Sequence, residues 1–340
     1  MISFYWILPF ALIGALIGTA MLRKYALSNS LIDIPNSRSS HTLPTPRGGG
    51  VAIVVSFIAS AILLGVSGFV PWMLVWGLVL PGTLIALIGF LDDHGHVPAR
   101  WRLLGHFAAA ALAMFFVNGL PLIQFFNFSL DLGWFGYAVG AVFLVWLLNL
   151  YNFMDGIDGL ASLEAIFVCA GGAILYALAN APELFWLPLT LACAVAGFLY
   201  WNFPPARIFM GDAGSGFLGI TLGVLSLQAA SINPALLWAW LILLGVFIVD
   251  ATCTLFVRLL RGEKVYEAHR SHAYQIMSRR TGSHRRVSLV VLAINCVWLL
   301  PLSVLVCLGV VDGVLGVAVA YFPLVVAALR IKAGQREICQ

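Results

Sequence analysis

Three stretches of this chain carry residue types and spacings that could do chemistry. The first, residues 149–159, places Asn149, Asn152, Asp155 and Asp158 at every third position, with Gly156 and Gly159 among them, between two long apolar runs. On a helix that spacing puts all four on one face as a stripe of oxygen ligands. The two glycines weaken a regular helix, so a helix end opening into a tight loop is an equal reading. The carboxylates converge in both. Asp and Asn are also ordinary loop formers, which explains one Asp-Gly pair better than two such pairs behind two spaced asparagines. The second stretch holds Asp92 and Asp93, then His94 and His96, with Arg100, Arg102 and His106 just beyond. Adjacent carboxylates raise one another's pKa unless a cation lies beside them, so the pair suits a magnesium site or a general base; a helix-cap or loop pair is the alternative. A zinc site from Asp93, His94 and His96 lacks the helical His-x-x-x-His spacing. The third stretch brings Asp212, Gly214, Ser215 and Gly216 to the start of an apolar run, a suitable place for a metal-bound phosphate. Phe209, just before it, could stack on a planar base.

Two basic stretches accompany the acids. Residues 31–50 include Arg38, His41 and Arg47 and close on Gly48, Gly49 and Gly50 directly before an apolar run. Glycines at a helix start let backbone N–H groups approach an anion, and the basic side chains would add phosphate donors. A proline-rich connector carrying topological charge is the alternative. Residues 258–286 contain His269, Arg270 and His272, which could grip a diphosphate or sugar hydroxyls. Arg279, Arg280, Arg285 and Arg286 more often mark topology and lipid contact.

The elements that must position these residues are membrane spans. Mean hydropathy is +1.01, 62% of residues are hydrophobic and 9% charged, against about 25% charged in a soluble domain. A spanning helix needs about 20 mainly apolar residues. Eleven candidates fall near residues 3–22, 49–68, 71–91, 103–119, 134–151, 160–179, 185–201, 214–231, 235–257, 288–309 and 313–329. The expected fold is therefore an all-α polytopic membrane protein, one integral domain over residues 1–340, with about eleven transmembrane helices. Its 18 Lys and Arg cluster in loops or tails separated by even numbers of spans, so all lie on one face, which the positive-inside rule makes cytoplasmic. That leaves the N-terminus outside, the C-terminus cytoplasmic, and cytoplasmic loops at about residues 23–48, 92–102, 152–159, 202–213 and 258–287. The first span has no basic residue ahead of it and Arg23 and Lys24 behind it, which favours a retained helix over a cleaved signal. The six cysteines show neither zinc nor disulfide spacing. Glu164 and Asp250 lie within spans, where carboxylates default to function, although a hydrogen-bonded packing role is nearly as natural.

This one-sided placement separates function classes. A secondary transporter or flippase should carry ionisable or broken-helix sites near the midplane; only Glu164 and Asp250 approach that. An enzyme joining a soluble phosphorylated donor to a membrane-held acceptor should gather carboxylates and glycine turns at one interface. Phosphoryl transfer needs a divalent cation, fixed positive groups and an in-line nucleophile.

In combination, the motifs Phe90-Leu91-Asp92-Asp93, Asn152-Phe153-Met154-Asp155-Gly156-Ile157-Asp158-Gly159 and Phe209-Met210-Gly211-Asp212-Ala213-Gly214-Ser215 resemble those of the polyprenyl-phosphate N-acetylhexosamine-1-phosphate transferases. This family includes the peptidoglycan phospho-MurNAc-pentapeptide translocase and the enzymes that start O-antigen and related glycans. The resemblance runs over about residues 33–275. It implies a multi-pass enzyme of the bacterial cytoplasmic (inner) membrane with its active site in cytoplasmic loops. Such an enzyme transfers a sugar 1-phosphate from a UDP-amino sugar to undecaprenyl phosphate and releases UMP, with Mg2+ as cofactor and Mn2+ as a substitute. Membrane lipid would surround it, nucleic acid would play no part, and a homodimer is left open.

The resemblance also implies roles by position. Asp212 would ligate magnesium, with Asp155 beside the metal and diphosphate. Asp92 would be the base or would position the acceptor, with Asp93 supporting it. Asn152 would lie at the substrate, Asn202 and Asp158 would contact uracil, and Phe209 would stack on it. His272 would help hold the diphosphate, with His269, Arg270, Arg47 and Gly48 as further substrate contacts. Tyr274 and Gln275 stand where the family usually has histidines, which leaves the role of residues 269–275 open. The run Ala268-His269-Arg270-Ser271-His272 looks closer to the O-antigen-initiating branch. N-acetylfucosamine, N-acetylquinovosamine or N-acetylglucosamine is the expected sugar. The run Asp-Gly-x-x-Ala-Arg of the CDP-alcohol transferases is absent from the sequence.

Overall fold

The computed structural model describes residues 4–35, 40–41, 43–95, 97–126, 128–264 and 269–335. Arg38, His96 and Ala268, named above, lie outside the described residues. In hydrocarbon every backbone polar group must be satisfied within the chain, and the apolar runs meet this by becoming helices. In order they are α1 (Ile7–Ser28), α2 (Val51–Val66), α3 (Trp72–His94), α4 (Ala99–Val117), α5 (Phe135–Phe153), α6 (Leu160–Leu178), α7 (Trp186–Asn202) and α8 (Asp212–Ile232), followed by α9 (Ala235–Leu243), α10 (Gly245–Leu260), α11 (Ala273–Thr281), α12 (His284–Ile294), α13 (Leu300–Cys307) and α14 (Gly313–Ile331). The protein is thus an all-α polytopic membrane protein.

Two small antiparallel pairs decorate it. β1 (Ile32–Asp33) pairs with β2 (Thr45–Pro46), and β3 (Ile123–Phe125) with β4 (Phe128–Leu130) at the opposite end of the bundle. α9 and α10 meet at 74°, and α12 continues into α13 through a π turn at Asn295–Leu299. With those pairs joined and the short polar α11 set aside, the described helices stand at the eleven expected places. Eight are long and apolar enough to cross a membrane, and the bent α9–α10 pair makes a ninth. α2 is short at 16 residues, and α4 carries Arg100, Arg102 and His106 in its first turns.

α8 is the hub. It packs against α3 and α5, and nearly all of it is buried. α1 lies along α7, and α4 along α3. Large apolar side chains such as Trp134, Leu260 and Phe322 point outward, as a lipid-facing surface requires. The intramembrane acid Glu164 is 1% exposed and accepts a hydrogen bond from Asn295 Nδ2, so α6 is tied to the π turn and the packing reading of this residue fits. Adjacent helices alternate in direction, so the C-terminal ends of α3, α5 and α7 and the N-terminal ends of α2, α4, α6 and α8 meet at one end of the bundle, where the acidic stretches converge.

Candidate active site

The stripe expected over residues 149–159 is divided. α5 ends at Phe153, so Asn149 and Asn152 are helical while Asp155 and Asp158 lie in the turn before α6; of the two sequence readings, the helix end opening into a loop is the one found. Asn149 turns toward α4, donating to the Val145 carbonyl at 2.7 Å with His106 Nδ1 3.4 Å away. Asn152 turns toward α8, its Nδ2 3.0 Å from Asp212 Oδ1 and 2.8 Å from Ser215 Oγ.

Asp93 reaches the first turn of α8 from the last turn of α3. Its Oδ1 accepts the Asp212 N–H at 3.3 Å and its Oδ2 the Ala213 N–H at 3.4 Å, a carboxylate at the positive end of a helix dipole. Gly211, which leads into that turn, sits at φ +78°, and a Cβ there would lie 2.5 Å from Asp93 Oδ2. The α8 N-terminus expected for a phosphate is therefore filled by an acid of the protein itself. A similar correction applies to Gly48–Gly50. The N–H groups of Gly49 and Gly50 donate to the carbonyls of Phe209 and Met210 at 3.0 and 2.9 Å, which fastens the two segments together and leaves neither N–H for an anion. Arg47 follows the same path, donating to the Asp93 carbonyl with its Nε 4.0 Å from Asp93 Oδ1.

Asp92 is tied elsewhere. Its Oδ1 accepts the Val97 N–H at 2.8 Å, and its other oxygen pairs with Arg102, which also lies 3.4 Å from Asp212 Oδ2. One cavity is lined by Arg47, Asp93, Asn152, Asp155, Asp158, Asn202, Phe209 and Asp212. Asp92 and Gly48 do not line it, so the carboxylate expected to support faces the cavity and the one expected to act stands behind it. A second, amphipathic cavity adjoins the first and shares Asn152 and Asp212; Arg102, His106 and Asn149 supply its polar side, and Ile85, Leu103 and Leu148 much of its apolar side.

Two of the expected base contacts are engaged with the protein. Asn202 is 3% exposed; its Oδ1 accepts from Gly159 N and Ser162 Oγ, and its Nδ2 donates to the Ile208 carbonyl. Asp158 accepts the Ala206 N–H at 3.0 Å and lies 3.2 Å from His284 Nδ1. The phenyl ring of Phe209 lines the cavity.

The basic stretch contributes differently from the expectation. His272 is 2% exposed, caps α11, and lies 3.4 Å from Asp250 Oδ1. His269 stacks on it. Burial, with His272 and Arg258 beside it, pulls the His269 pKa down to about 3, so the ring is neutral at physiological pH. Neither histidine lines the acidic cavity, nor does Arg270, whose carbonyl accepts from Arg279 at 3.0 Å. Gln275 reaches the cavity instead, with Tyr274 packed behind it against Gly156. Tyr274 Oη donates to the Phe153 carbonyl at 2.9 Å and fills the space that a Cβ on Gly156 would need. Asp250 holds this turn by accepting the Ala273 and Tyr274 N–H groups at 2.8 and 2.9 Å, so its role is structural.

Sequence reasoning passed over His284, which lines the cavity as the first residue of α12. The available signal was the histidine directly after the helix-capping Ser283, hidden by four neighbouring arginines.

Among the described residues, no group of three or more His, Cys, Asp and Glu side chains forms a ready-made metal site. The donor chemistry nevertheless fits a hard cation. The Asp155 carboxylate has no hydrogen bond or ion pair among the described residues. Burial, then the charges of Asp212, Asp93 and Asp158, push its pKa well above the usual carboxylate range. The Asp212 side chain keeps 38% of its surface open. Magnesium is commonly held by one or two carboxylates, with waters and substrate phosphates completing its shell, and does not need an all-protein cage.

A family model described as Glycosyl transferase family 4 matches residues 75–230, a region that contains all three acidic motifs. The chain is 29% identical over 309 residues to the probable undecaprenyl-phosphate N-acetylglucosaminyl 1-phosphate transferase of Bacillus subtilis, covering 87% of this chain and 83% of that protein. It is 29% identical over 310 residues to the decaprenyl-phosphate N-acetylglucosaminephosphotransferase of Mycolicibacterium smegmatis, covering 80% and 75%. It is also 29% identical over 265 residues to the phospho-N-acetylmuramoyl-pentapeptide-transferase of Rickettsia prowazekii, covering 66% and 69%. Together these likenesses support a place in glycosyl transferase family 4.

Proposed function

We propose that the protein transfers an N-acetyl-amino-sugar 1-phosphate from a UDP-sugar to undecaprenyl phosphate, releasing UMP and forming the lipid-diphospho-sugar that starts an O-antigen or related envelope glycan. The observation that carries this reading is the convergence of Asp93, Asp155 and Asp212 with Asn152 in one cavity at one end of a membrane bundle. The activities that the three relatives are named for support it. In the reaction, an oxygen of the lipid phosphate bonds to the sugar-linked phosphorus of the donor. The bond from that phosphorus to the bridging oxygen breaks, and the electron pair leaves with UMP.

Such a transfer asks the protein mainly for positioning and charge neutralisation. Asp212 and Asp155 would hold magnesium, whose charge neutralises phosphate oxygens when bound. Asn152 fixes the Asp212 rotamer, and Asp93 holds the first turn of α8 under it. Arg102, with charge on one side and apolar walls beside it, suits a lipid phosphate whose tail runs into the bilayer. Phe209 offers a face to the uracil, while Asn202 and Asp158 shape the turn around it. The one-sided Lys and Arg support a cytoplasmic site in the bacterial inner membrane.

Purified protein with undecaprenyl phosphate, magnesium and a panel of UDP-amino sugars including N-acetylglucosamine, N-acetylfucosamine and N-acetylquinovosamine should release UMP with one of them. Movement of a nucleotide sugar or lipid-linked sugar across proteoliposomes without UMP would make the protein a transporter or flippase.

A further inference from the structure

The His284 imidazole joins three elements that are distant in sequence. Nδ1 lies 3.2 Å from Asp158 Oδ1 in the turn before α6, and Nε2 lies 3.1 Å from the Ser40 carbonyl. One turn further along α12, Ser288 Oγ donates to the Asp158 carbonyl at 3.0 Å, so α12 grips this turn twice. Asp158 in turn takes the Ala206 N–H, which brings the segment leading to Phe209 into the same assembly.

Ser40 and His41, placed by this anchor, carry an unusual pair of atoms. Ser40 Oγ and His41 Nε2 are both buried and without a hydrogen-bond partner, whereas buried polar side-chain atoms are nearly always paired. Both residues line the cavity with Phe209, Asp158 and His284. The His41 ring meets the Phe209 ring edge-on with centroids 4.9 Å apart. A flat apolar face therefore has a hydroxyl and an imidazole nitrogen beside it. That combination suits a planar heterocycle with hydrogen-bonding edges, or the hydroxyls of an attached ribose.

We infer that His284 is a positioning residue for the nucleoside end of the donor, setting Ser40 and His41 beside Phe209 so that their free polar atoms meet the base or ribose. This rests on the nucleotide-sugar reading given above. Ser40, His41 and His284 do not line the Arg102 cavity, so His284 acts on donor binding and leaves acceptor binding alone.

The test is steady-state kinetics on the detergent-purified full chain, with the donor and undecaprenyl phosphate varied separately, together with calorimetry using UDP as the probe. His284→Ala should raise the donor KM and the UDP Kd by about 10-fold, the equivalent of one well-placed contact. The undecaprenyl phosphate KM and kcat should stay within about 2-fold, the pattern of lost ground-state binding. His284→Gln, able to keep one of the two links, should fall between. A donor KM equal to wild type would overturn the inference, as would parallel loss in kcat and both KM values, which marks a merely structural residue. If His284→Ala does not fold, Ser40→Ala and His41→Gln read the same split, and an unchanged donor KM in both would sink the idea. A wild-type protein that neither binds UDP nor releases UMP overturns the nucleotide-sugar reading itself, a result distinct from normal wild-type turnover with a silent His284.

Discussion

At Asp212 one carboxylate oxygen is met by Asn152 and the other by Arg102, yet more than a third of the side chain remains open to the cavity. This residue is held in place while staying available. Asp212→Asn keeps the shape and removes the charge, and it should lower kcat by about 10²–10³-fold, the usual size of one preorganised electrostatic group; full metal-dependent turnover in a UMP-release assay would refute the metal assignment. Asp155 supplies a pH test. Its folded pKa is raised above the unfolded value by burial and by Asp212, Asp93 and Asp158. The cation-free protein should therefore lose stability as pH rises from the ordinary carboxylate range through that raised pKa, and magnesium, which needs the ionised form, should restore more of it the higher the pH. Melting curves in chelator and in magnesium at several pH values would show this; a magnesium effect that does not change with pH would contradict it. The three acidic motifs were legible because Asp, Asn and Gly stand out against apolar neighbours. The order of Asp92 and Asp93 was not legible. Successive helical residues point about 100° apart, and only the position of α8 decides which of them faces the cavity.

The elements divide in the same way. The spans could be read from the length of each apolar run, and α6, α8 and α14 lie close to their expected bounds. The 74° break between α9 and α10 could not, because Leu244 and Gly245 sit in an unbroken apolar run with no proline at the joint. The glycine run at 48–50 was legible as a close approach but not as to what approached. Its N–H groups meet the Phe209 and Met210 carbonyls, and that pairing is a tertiary fact. α11 depends on Asp250 in the same long-range way. Asp250→Ala would orphan the Ala273 and Tyr274 N–H groups and should destabilise the protein by about 1–3 kcal/mol, with Tyr274 and Gln275 displaced and turnover reduced; denaturant or thermal unfolding in detergent would measure it. Glu164→Gln keeps an oxygen for Asn295 and should unfold within about 0.5 kcal/mol of wild type, whereas Glu164→Ala leaves a void and an unpaired amide and should cost about 2 kcal/mol or more. Equal melting temperatures for the two variants would show that the Glu164–Asn295 link contributes nothing.

For the whole molecule, the charge pattern and the bundle agree on a single chemical end. Asp93 and Asp212 sit at helix ends and Asp155 and Asp158 in the turn between α5 and α6, and Arg47, Arg102, Arg207 and Arg279 lie at that same end. Cysteine-labelling in intact cells and in inverted vesicles should find the segment around Pro121 accessible from outside and the loop around Gly282 from the cytoplasm; the reverse pattern would overturn the cytoplasmic assignment. The central claim is that a phosphoryl group, together with its sugar, moves from nucleotide to lipid. The most direct measurement uses a UDP-amino sugar carrying radioactive phosphorus in its sugar-linked phosphate, incubated with the protein, undecaprenyl phosphate and magnesium. The label should pass into the lipid fraction in equal amount with the sugar, leaving unlabelled UMP in the aqueous phase. Labelled UDP released while the sugar alone enters the lipid, or label that remains in intact nucleotide sugar, would contradict the account.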